Sequence, residues 1–501
     1  MFFVCLLSLS GAKASSNIGV NFGQLGNNLP SPYRSIELLT TMNVGRVKLY
    51  DSNPEILRLL SSSNIQVSIM IQNHEIAGIA ANQSIADEWV RNNVLSHYPE
   101  TKIRYLLVGN EVLSYNSEQG RQMWHDLVPA MRSIKRSLKA LNIHNIKIGT
   151  PLAMDVLQSS FPPSSGTFRS DIIDTVIGPM LKFLDKTKSF FFIDAYPYFP
   201  WSQDPENISL DFALFRGTST IRDPGSGLTY TNLLDQMLDS LIFAMSKLGY
   251  SNIQLAIAET GWPNSGDVEE PGANIFNAAT YNRNLINRMT TEPPLGTPAR
   301  PRVSIPTFVF SLFNENQKNG PGTERHWGLL HPDGTPIYEI DLTGKKPLTD
   351  FASLPAPKNN VPYKGKVWCV ATKDADEMEL SAALNYACNQ GNVSCDALAP
   401  GRECYAPVSV ADHASYVFSS YWAKFRNEGG TCHFNGLAQK TTKNPSKFFS
   451  PVLFVSLYHS TRFIMIIWFF GCRSWFLQVP RCEYLKIKEM KIRSSKQEFF
   501  C

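Results

Sequence analysis

Two glutamates each follow an apolar run that has the composition of a buried β-strand. Glu111 ends the stretch Leu106-Leu-Val-Gly-Asn110-Glu111, and Glu259 ends the stretch Leu255-Ala-Ile-Ala-Glu259. Two carboxyl groups that face each other can share a displacement reaction, since one attacks as the carboxylate while the other donates a proton. Sugar acetals are cleaved in this way, with retention of configuration, when the two groups stand about 5–5.5 Å apart. A lone strand-end glutamate is more often a salt-bridge residue, but the pair favours catalysis.

Other reaction types lack their signatures in this sequence. It contains no G-x-x-x-x-G-K-[ST], H-E-x-x-H or G-x-S-x-G motif, so nothing indicates a P-loop, a zinc protease or a nucleophile elbow. The nine histidines show no metal-ligand spacing, and His74 is typical of a loop histidine. The net charge of the chain is +4, and residues 448–501 alone hold eight Lys/Arg and three Asp/Glu. The remaining chain is therefore nearly neutral and offers no basic face to nucleic acid. We expect no metal and no organic cofactor.

The elements around these glutamates alternate between strand-like and helix-like patterns from Ile18 to Asp341. The short apolar runs are Ile18–Phe22, Val44–Tyr50, Ile65–Ile71, Ile103–Val108, Ile146–Gly149, Phe190–Ala195, Ile253–Ala258 and Ile305–Leu312. The clearest helical segments are Ser84–Leu95, Glu118–Leu141, Ser170–Leu184, Thr231–Leu248 and Asn274–Met289. Eight strands separated by crossover helices predict the α/β class and a (β/α)8 TIM barrel.

The barrel prediction places both glutamates at one site. The carboxyl ends of barrel strands form the active-site face, and the fourth and seventh strands, which end at Glu111 and Glu259, lie nearly opposite across the mouth. An open doubly wound sheet is the alternative. It would need a glycine-rich phosphate turn after the first strand, and Gly23-Gln-Leu-Gly26 lacks the G-x-G-x-x-G spacing.

Several motifs of the first two thirds of the chain resemble glycoside hydrolase family 17, the plant-type endo-β-1,3-glucanases. The motifs are Gly109-Asn-Glu-Val112, Leu255–Gly266, Leu312-Phe-Asn-Glu-Asn316, Ile18-Gly-Val-Asn-Phe-Gly-Gln24, Val47-Lys-Leu-Tyr-Asp51 and Asp194-Ala-Tyr-Pro197. The resemblance covers residues 17–341 and implies a retaining (β/α)8 enzyme. It implies that Glu259 is the nucleophile and Glu111 the acid/base in hydrolysis of internal β-1,3 linkages of a callose-like glucan, which is the expected partner.

The same resemblance implies supporting roles around the pair. Asn110 would bind the sugar 2-hydroxyl, and Tyr196 would orient the nucleophile. Glu315, Lys318 and Glu324 match the family's charged cluster at the end of the eighth strand. For these three residues, a structural ion-pair network and direct contact with substrate are equally open.

Aromatic side chains fall in segments that the barrel prediction places at its mouth. These are Tyr50, Tyr198, Phe199, Trp201, Phe313 and Trp327. Aromatic faces stack on the apolar faces of pyranose rings, whereas the commoner role of a single aromatic residue is core packing. We expect Tyr50, Phe313 and Trp327 to contribute to substrate binding.

A second module follows the barrel region. Residues 343–366 are rich in Pro, Lys and Asn and predict a linker, and residues 6–368 contain no cysteine, whereas five lie from Cys369 to Cys432. Clustered cysteines without C-x-x-C spacing indicate a disulfide framework. We assign residues 15–342 to the barrel and 367–446 to this module.

The module resembles the X8 domain, also called the family-43 carbohydrate-binding module. The motifs that carry the resemblance are Trp368-Cys-Val-Ala371, Ala383-Leu-Asn-Tyr-Ala-Cys388, Pro400-Gly-Arg-Glu-Cys404, His413-Ala-Ser-Tyr-Val-Phe418 and Thr431-Cys-His-Phe434. The resemblance implies a mainly helical module that binds β-1,3-glucan, with disulfides Cys369–Cys432 and Cys388–Cys395. It ends after Ser446 without the family's sixth cysteine, which leaves Cys404 without its family partner. We expect residues 447–501 not to belong to the family.

The amino-terminal segment predicts export. Residues 1–14 are apolar and end in Ala12-Lys-Ala14, which is typical of a secretory signal peptide; a buried strand is the alternative. Sequons at Asn82, Asn207 and Asn392 predict N-glycosylation of a secreted protein. We expect a monomer in the extracellular space or cell wall, with a glycolipid anchor only if the native carboxyl terminus differs from this one. Transglycosylation and a non-catalytic role in glucan binding remain the alternative functions.

Overall fold

The computed structural model describes residues 17–445 apart from 391, 392, 394, 403, 406, 407 and 427–429. The predicted signal peptide, the sequon at Asn392 and the 447–501 segment therefore lie outside the described residues. The chain divides into two compact units, of which the first holds most of the residues up to Val361 and the second most of those from Pro362 onward.

The first unit contains one parallel β-sheet. Its strands are β1 (Ile18–Phe22), β2 (Arg46–Leu49), β3 (Gln66–Ile71), β4 (Lys102–Val108), β5 (Lys147–Gly149), β6 (Pro151–Ala153), β7 (Phe191–Asp194), β8 (Leu255–Thr260) and β9 (Thr307–Val309). They are hydrogen-bonded in the order β5-β4-β3-β2-β1-β9-β8-β7-β6. Only Thr150 separates β5 from β6, so these two segments act as one strand that pairs with β4 on one side and β7 on the other. The sheet thereby closes with eight strand positions, which confirms the barrel prediction.

Helices connect successive strands. They are α1 (Pro32–Thr41), α2 (Pro54–Leu60), α3 (Ile76–Ala81), α4 (Gln83–Asn93), α5 (Glu118–Ala140), α6 (Gly178–Thr187), α7 (Tyr198–Gln203), α8 (Leu210–Ala213), α9 (Leu233–Lys247) and α10 (Ile275–Thr290). Side-chain caps mark several starts, as where Asn232 accepts from the Asp235 amide ahead of α9. The predicted helix Ser170–Leu184 instead begins with a π-helical turn, Ile173–Ile177. Pro179 follows that turn and cannot donate an amide hydrogen bond, which interrupts the regular α-helical pattern.

Apolar side chains fill the inside of the barrel as well as the layer between sheet and helices. The interior cluster includes Tyr105, Phe192 and Phe308, each of which is less than 10% exposed. The ring centroid of Tyr105 lies 5.2 Å from that of Phe192. Gly149 provides the space for Phe192, since a Cβ at that position would stand 2.2 Å from the ring. The inward-facing residues of the strands thus form a packed apolar layer inside the barrel. The polar groups lie at the carboxyl ends of the strands.

The segment predicted as a linker contacts the barrel over part of its length. The Asn274 side chain donates to Asn359 at 2.8 Å and to Asn360 at 3.0 Å, and the Asn277 side chain donates to Asn360 at 2.7 Å. Asn274 is also the residue that caps α10. Residues 359 and 360 are therefore attached to the amino-terminal end of α10, as side-chain hydrogen bonds extend the helix cap.

The second unit is mainly helical. It contains α11 (Glu377–Cys388), α12 (Val410–Phe425) and the antiparallel strands β10 (Trp368–Ala371) and β11 (Ala438–Thr441). Side chains of both helices share one core, which includes Leu380 and Phe418. A small core of this kind needs covalent support to remain folded.

Disulfides provide that support. Cys369 is bonded to Cys432 and Cys388 to Cys395, as the X8 resemblance implies. Cys404 is 5% exposed and is itself disulfide-bonded. Its partner is not one of the other four cysteines that the structure describes, because these pair with one another. Among the described helices, none is both apolar enough and long enough to cross a lipid bilayer.

Candidate active site

Glu259 lies at the carboxyl end of β8 and is 5% exposed. Its carboxylate accepts three short hydrogen bonds. Oε1 accepts from the Lys48 ammonium and from the Tyr50 hydroxyl, both at 2.6 Å, and Oε2 accepts from the Tyr196 hydroxyl at 2.6 Å. The two oxygens are thereby fixed in position, and the carboxylate is held in its ionised form.

Lys48 is a site residue that the sequence prediction omitted. It is fully buried and lies on β2, two residues before Tyr50, so that both side chains leave the strand on the same face. The Lys48 ammonium also stands 4.2 Å from the centre of the Tyr50 ring. A lysine within the apolar run Val44–Tyr50 was the available signal, because a buried charge requires a partner.

Opposing effects determine the protonation of Glu259. Burial acts to raise its pKa, but the charge and hydrogen bond of Lys48, together with the hydroxyls of Tyr196 and Tyr50, outweigh burial and lower the pKa. Burial and the charge of Glu259 raise the pKa of both tyrosines well above the ordinary value. Glu259 is therefore a carboxylate, and the tyrosines remain hydrogen-bond donors to it.

Glu111 comes from a left-handed turn at the end of β4. Gly109 has φ +69° and Glu111 has φ +47°, so the backbone leaves the strand direction at these residues. A Cβ on Gly109 would stand 2.5 Å from Val112, and glycine is thus required both for conformation and for space. The Glu111 amide donates to the Pro151 carbonyl at 3.0 Å, which ties the turn to β6.

The carboxyl of Glu111 is held in the opposite protonation state. Burial, followed by the charge of Glu259, raises the pKa of Glu111 to about 7, with smaller increases from Asp155 and Glu324 and an opposing effect from Lys48. Glu111 is accordingly a protonated acid below neutral pH, whereas Glu259 is ionised. Two carboxyl groups whose environments separate their pKa values in this way have the properties of an acid and a nucleophile.

Comparisons with known proteins identify the family of the barrel and the type of the second unit. A model of glycosyl hydrolases family 17 matches residues 18–342. The chain belongs to that family. A model of the X8 domain matches residues 367–439.

Relatives resemble this family-17 chain over most of its length. A probable glucan endo-1,3-beta-glucosidase A6 of Arabidopsis thaliana is 62% identical over 431 residues, which are 86% of this chain and 90% of the relative. A glucan endo-1,3-beta-D-glucosidase of Olea europaea is 34% identical over 447 residues, 89% of this chain and 95% of the relative.

Two solved structures match the family-17 barrel. CJP38, a beta-1,3-glucanase and allergen of Cryptomeria japonica pollen, has a TM-score of 0.61 and 41% identity, over 65% of this chain and 99% of that chain. A plant beta-glucan endohydrolase has a TM-score of 0.59 and 32% identity, over 64% of this chain and 99% of that chain.

The charged cluster of the family-17 barrel has both structural and electrostatic parts. Glu315 is 2% exposed and accepts from the Leu25 amide at 2.8 Å, while its other oxygen lies 3.7 Å from the Lys318 ammonium. Burial raises the pKa of Glu324, with Lys318 opposing and the Glu259 charge reinforcing the increase. Glu315 thus links two loops, whereas Glu324 belongs to the electrostatic surroundings of Glu259.

The predicted aromatic residues divide between the site and the core. Tyr50 and Tyr196 bind Glu259 directly, as described. Trp327 is 2% exposed, and its ring centre lies 4.9 Å from that of Tyr196 and 5.8 Å from that of the more exposed Phe199. Trp327 therefore packs behind a residue that holds the carboxylate.

Three further aromatic residues are buried. Phe313 is 2% exposed and its ring meets that of Phe22 edge-on at 6.1 Å. Tyr198 and Trp201 are 3% and 2% exposed. Their neighbours enclose all three rings, as in core packing, and the substrate contact of Phe313 stays a prediction.

Two more polar residues next to Glu259 were not among the predicted site residues. Asn21 is fully buried and donates to the Tyr50 hydroxyl at 3.1 Å and to the Ala258 carbonyl at 2.9 Å. Asp194 is 2% exposed and pairs in register with Glu259. Neither of its carboxyl oxygens has a hydrogen-bond partner among the described residues. Burial and then the Glu259 charge raise the pKa of Asp194 well above its ordinary value, which favours its protonated form. Polar residues within apolar strand runs were the signal for both.

No group of three or more His, Cys, Asp or Glu side chains among the described residues is arranged to hold a metal ion. Two of the predicted glycosylation sites are exposed. Asn82 caps α4 by accepting from the Ser84 amide at 2.9 Å, and Asn207 donates to Asp204 at 2.9 Å.

Replacing Lys48 tests whether the buried ion pair maintains the site. Lys48→Met leaves the Glu259 carboxylate buried without its cation, and we expect the free energy of unfolding to fall by about 3–5 kcal/mol near neutral pH. Because the lowered pKa of Glu259 stabilises the fold only where the carboxyl is ionised, the loss should shrink as the pH falls through that pKa. Chemical denaturation over a pH series measures it.

The double variant and a surface lysine serve as controls. Adding Glu259→Gln to Lys48→Met should recover much of the loss, since no uncompensated charge remains. Lys188 is 77% exposed and pairs with Asp185 at 3.0 Å. Lys188→Met should lower the free energy of unfolding by no more than about 1 kcal/mol. Equal losses for the two lysines would refute the argument.

A second test concerns the raised pKa of Glu111. A carboxyl whose pKa is higher in the folded state stabilises the fold at low pH, and this contribution disappears as the pH rises from the unfolded value towards about 7. Glu111→Gln cannot ionise, so its stability relative to the wild type should increase over this range by about 2–3 kcal/mol. Glu88→Gln, at an exposed position of α4, is the control. A pH-independent difference for Glu111→Gln would contradict the assignment.

Proposed function

We propose that this protein hydrolyses internal β-1,3-glucosidic bonds of β-1,3-glucan with retention of configuration. The observation that carries the proposal is the pair of carboxyl groups with opposite protonation states, Glu259 ionised and Glu111 protonated. The names of the relatives indicate the linkage, since those proteins are glucan endo-1,3-beta-glucosidases.

In the first step the Glu259 carboxylate attacks the anomeric carbon. The bond from that carbon to the glycosidic oxygen breaks, and Glu111 transfers its proton to the leaving oxygen. A covalent glucosyl ester on Glu259 results, and Glu111 is left as a carboxylate. As Glu259 loses its negative charge, the pKa of Glu111 falls, which favours release of the Glu111 proton.

In the second step Glu111 removes a proton from water. The resulting hydroxide attacks the same carbon, and the ester bond to Glu259 breaks, which restores both starting protonation states. Lys48, Tyr50 and Tyr196 favour this return because their hydrogen bonds are strongest to the Glu259 carboxylate. A sugar hydroxyl in place of water would give transglycosylation.

Asn110 is suited to contact the reacting sugar. Asn110 directly precedes Glu111, and its side-chain oxygen is buried without a hydrogen-bond partner in the part of the chain that the structure describes. A buried acceptor without a donor costs free energy, which a substrate hydroxyl at this position would recover. This supports the role in binding the 2-hydroxyl that the family resemblance implies.

Activity measurements on linear β-1,3-glucan test the proposal. Glu259→Gln should lower kcat at least about 1,000-fold, and Glu111→Gln about 100- to 10,000-fold, while Glu88→Gln should retain wild-type release of reducing ends. Because the acid must be protonated, wild-type kcat/KM should fall as the pH rises through about 7. Activity that survives Glu259→Gln would exclude the nucleophile assignment.

Product analysis distinguishes the remaining alternatives. Azide added to Glu259→Ala should yield an α-glucosyl azide, and azide added to Glu111→Ala a β-glucosyl azide, because azide replaces the missing group on opposite faces of the sugar. Products longer than the substrate would indicate transglycosylation. A wild-type protein that binds glucan but cleaves none would indicate a non-catalytic binding protein.

We further propose that the protein is secreted and that the X8 unit binds glucan. The apolar start of the sequence and the disulfides of the second unit support export, since disulfides persist in oxidising compartments. Expressed in plant cells, the full chain should reach the medium with glycans whose loss in Asn82→Gln or Asn207→Gln reduces the mass. Retention inside the cell without glycans would contradict export.

A further inference from the structure

Asn73 lies where the pairing between β3 and β4 ends. The last register pair is Ile71 with Val108, and the Gly109 amide still donates to the Ile71 carbonyl at 2.9 Å. Beyond this point the side chain of Asn73 replaces the missing backbone partner. Its Oδ1 accepts from the Asn110 amide at 2.8 Å, and its Nδ2 donates to the Asn110 carbonyl at 3.1 Å.

An asparagine side chain can do this because its amide has the same donor and acceptor as a peptide group. The backbone leaves the strand direction at Gly109 and Glu111, so that no ordinary sheet partner can follow it. The fit is close, since a Cβ on Gly109 would lie 2.9 Å from the Asn73 side-chain oxygen. Two hydrogen bonds in opposite directions restrain the Asn110 peptide in position and in rotation.

The position of Asn73 is itself fixed by its neighbours. It begins a short 3-10 helix, Asn73–Glu75. The Glu75 carboxylate accepts from the Gln72 amide at 2.8 Å and from the Trp89 indole at 3.0 Å, and Trp89 is 7% exposed on α4. Asn73 is therefore attached to the outer helical layer as well as to β3.

The turn that carries Glu111 is thus held from both sides. On the β6 side the Glu111 amide donates to the Pro151 carbonyl at 3.0 Å, and on the β3 side Asn73 holds the preceding peptide. The first of these restraints is made by backbone alone. The second depends on one side chain, which makes it accessible to mutation.

We propose that Asn73 is a positioning residue that sets the placement of the Glu111 carboxyl opposite Glu259 by holding the Asn110 peptide. The proposal for Asn73 rests on the proposed function, which gives Glu111 its role as acid and base. Among the described residues, the Asn73 side chain bonds only to the Asn110 backbone. The groups that it positions act most strongly in the transition state, so its loss should act on the chemical step more than on binding. A displacement of about 1 Å in a reacting group costs about 100-fold in rate.

Three variants test the proposal. Asn73→Ala frees the turn, and we expect kcat to fall about 10- to 100-fold with a change in KM of less than about threefold. The alkaline limb of kcat/KM should move to lower pH, since Glu111 becomes better hydrated and less exposed to the Glu259 charge. Asn73→Asp keeps the acceptor for the Asn110 amide and adds a negative charge, so its alkaline limb should move to higher pH. Opposite shifts from these two variants are not expected of a merely structural residue.

The matched control is Asn284→Ala. Asn284 also holds a backbone carbonyl, that of Leu214 at 2.8 Å, but it lies on α10 away from Glu111. Asn284→Ala should leave the alkaline limb unchanged. The proposal for Asn73 would be overturned if Asn73→Ala and Asn73→Asp both kept the wild-type kcat and the wild-type alkaline limb of kcat/KM. The loss of activity in Glu259→Gln would still support the proposed function in that case.

The pH dependence of stability can be measured without activity. It therefore distinguishes failure of the Asn73 proposal from failure of the proposed function. In the wild-type background, the stability of Glu111→Gln relative to the unmutated protein should increase with pH up to about 7. In the Asn73→Ala background this increase should end at lower pH. If the wild type cleaved no glucan, this shift would still support the role of Asn73 in holding the turn, and an unchanged increase would overturn it.

Discussion

The ion pair between Lys48 and Glu259 is the interaction on which the site depends. Two opposite charges 2.6 Å apart are almost removed from water, with the lysine side chain fully buried. Neither charge would persist alone at this position, because desolvation favours the neutral form of each. Burial is the largest cause of the raised pKa of Glu111 and of Asp194, and the Glu259 charge, which Lys48 holds in place, adds to it. The ion pair therefore contributes to the protonation of both neighbouring carboxyl groups.

Closure of the barrel makes this contact possible. Lys48 belongs to β2 and Glu259 to β8, and two strands, β1 and β9, stand between them in the sheet. Side chains on separated strands of a flat sheet would be too far apart to touch, whereas those that point into a closed barrel converge on its axis. The packed apolar layer around Tyr105 fills the space below, and the polar groups are confined to the mouth.

Much of the fold was predictable because the period of buried residues reports directly on secondary structure. The strand and helix segments, the barrel and the two strand-end glutamates followed from that pattern, and the disulfides of the second unit from its resemblance to the X8 domain. Lys48, Asn21 and Asp194 were missed, since a lone polar residue in an apolar run does not reveal its partner. The attachment of Asn359 and Asn360 to α10 was hidden for a similar reason, as a Pro- and Asn-rich composition is also typical of a free linker.

The sequence alone determined the alternation of elements, the residue types at the strand ends and the family motifs around Glu111 and Glu259. These are local properties, because residues close together in the sequence determine them. Tertiary structure decided which carboxyl group is protonated and which is held ionised. Electrostatic interactions depend on distance and burial, and residues such as Lys48 and Glu259 acquire both only when strands far apart in the chain meet around one axis.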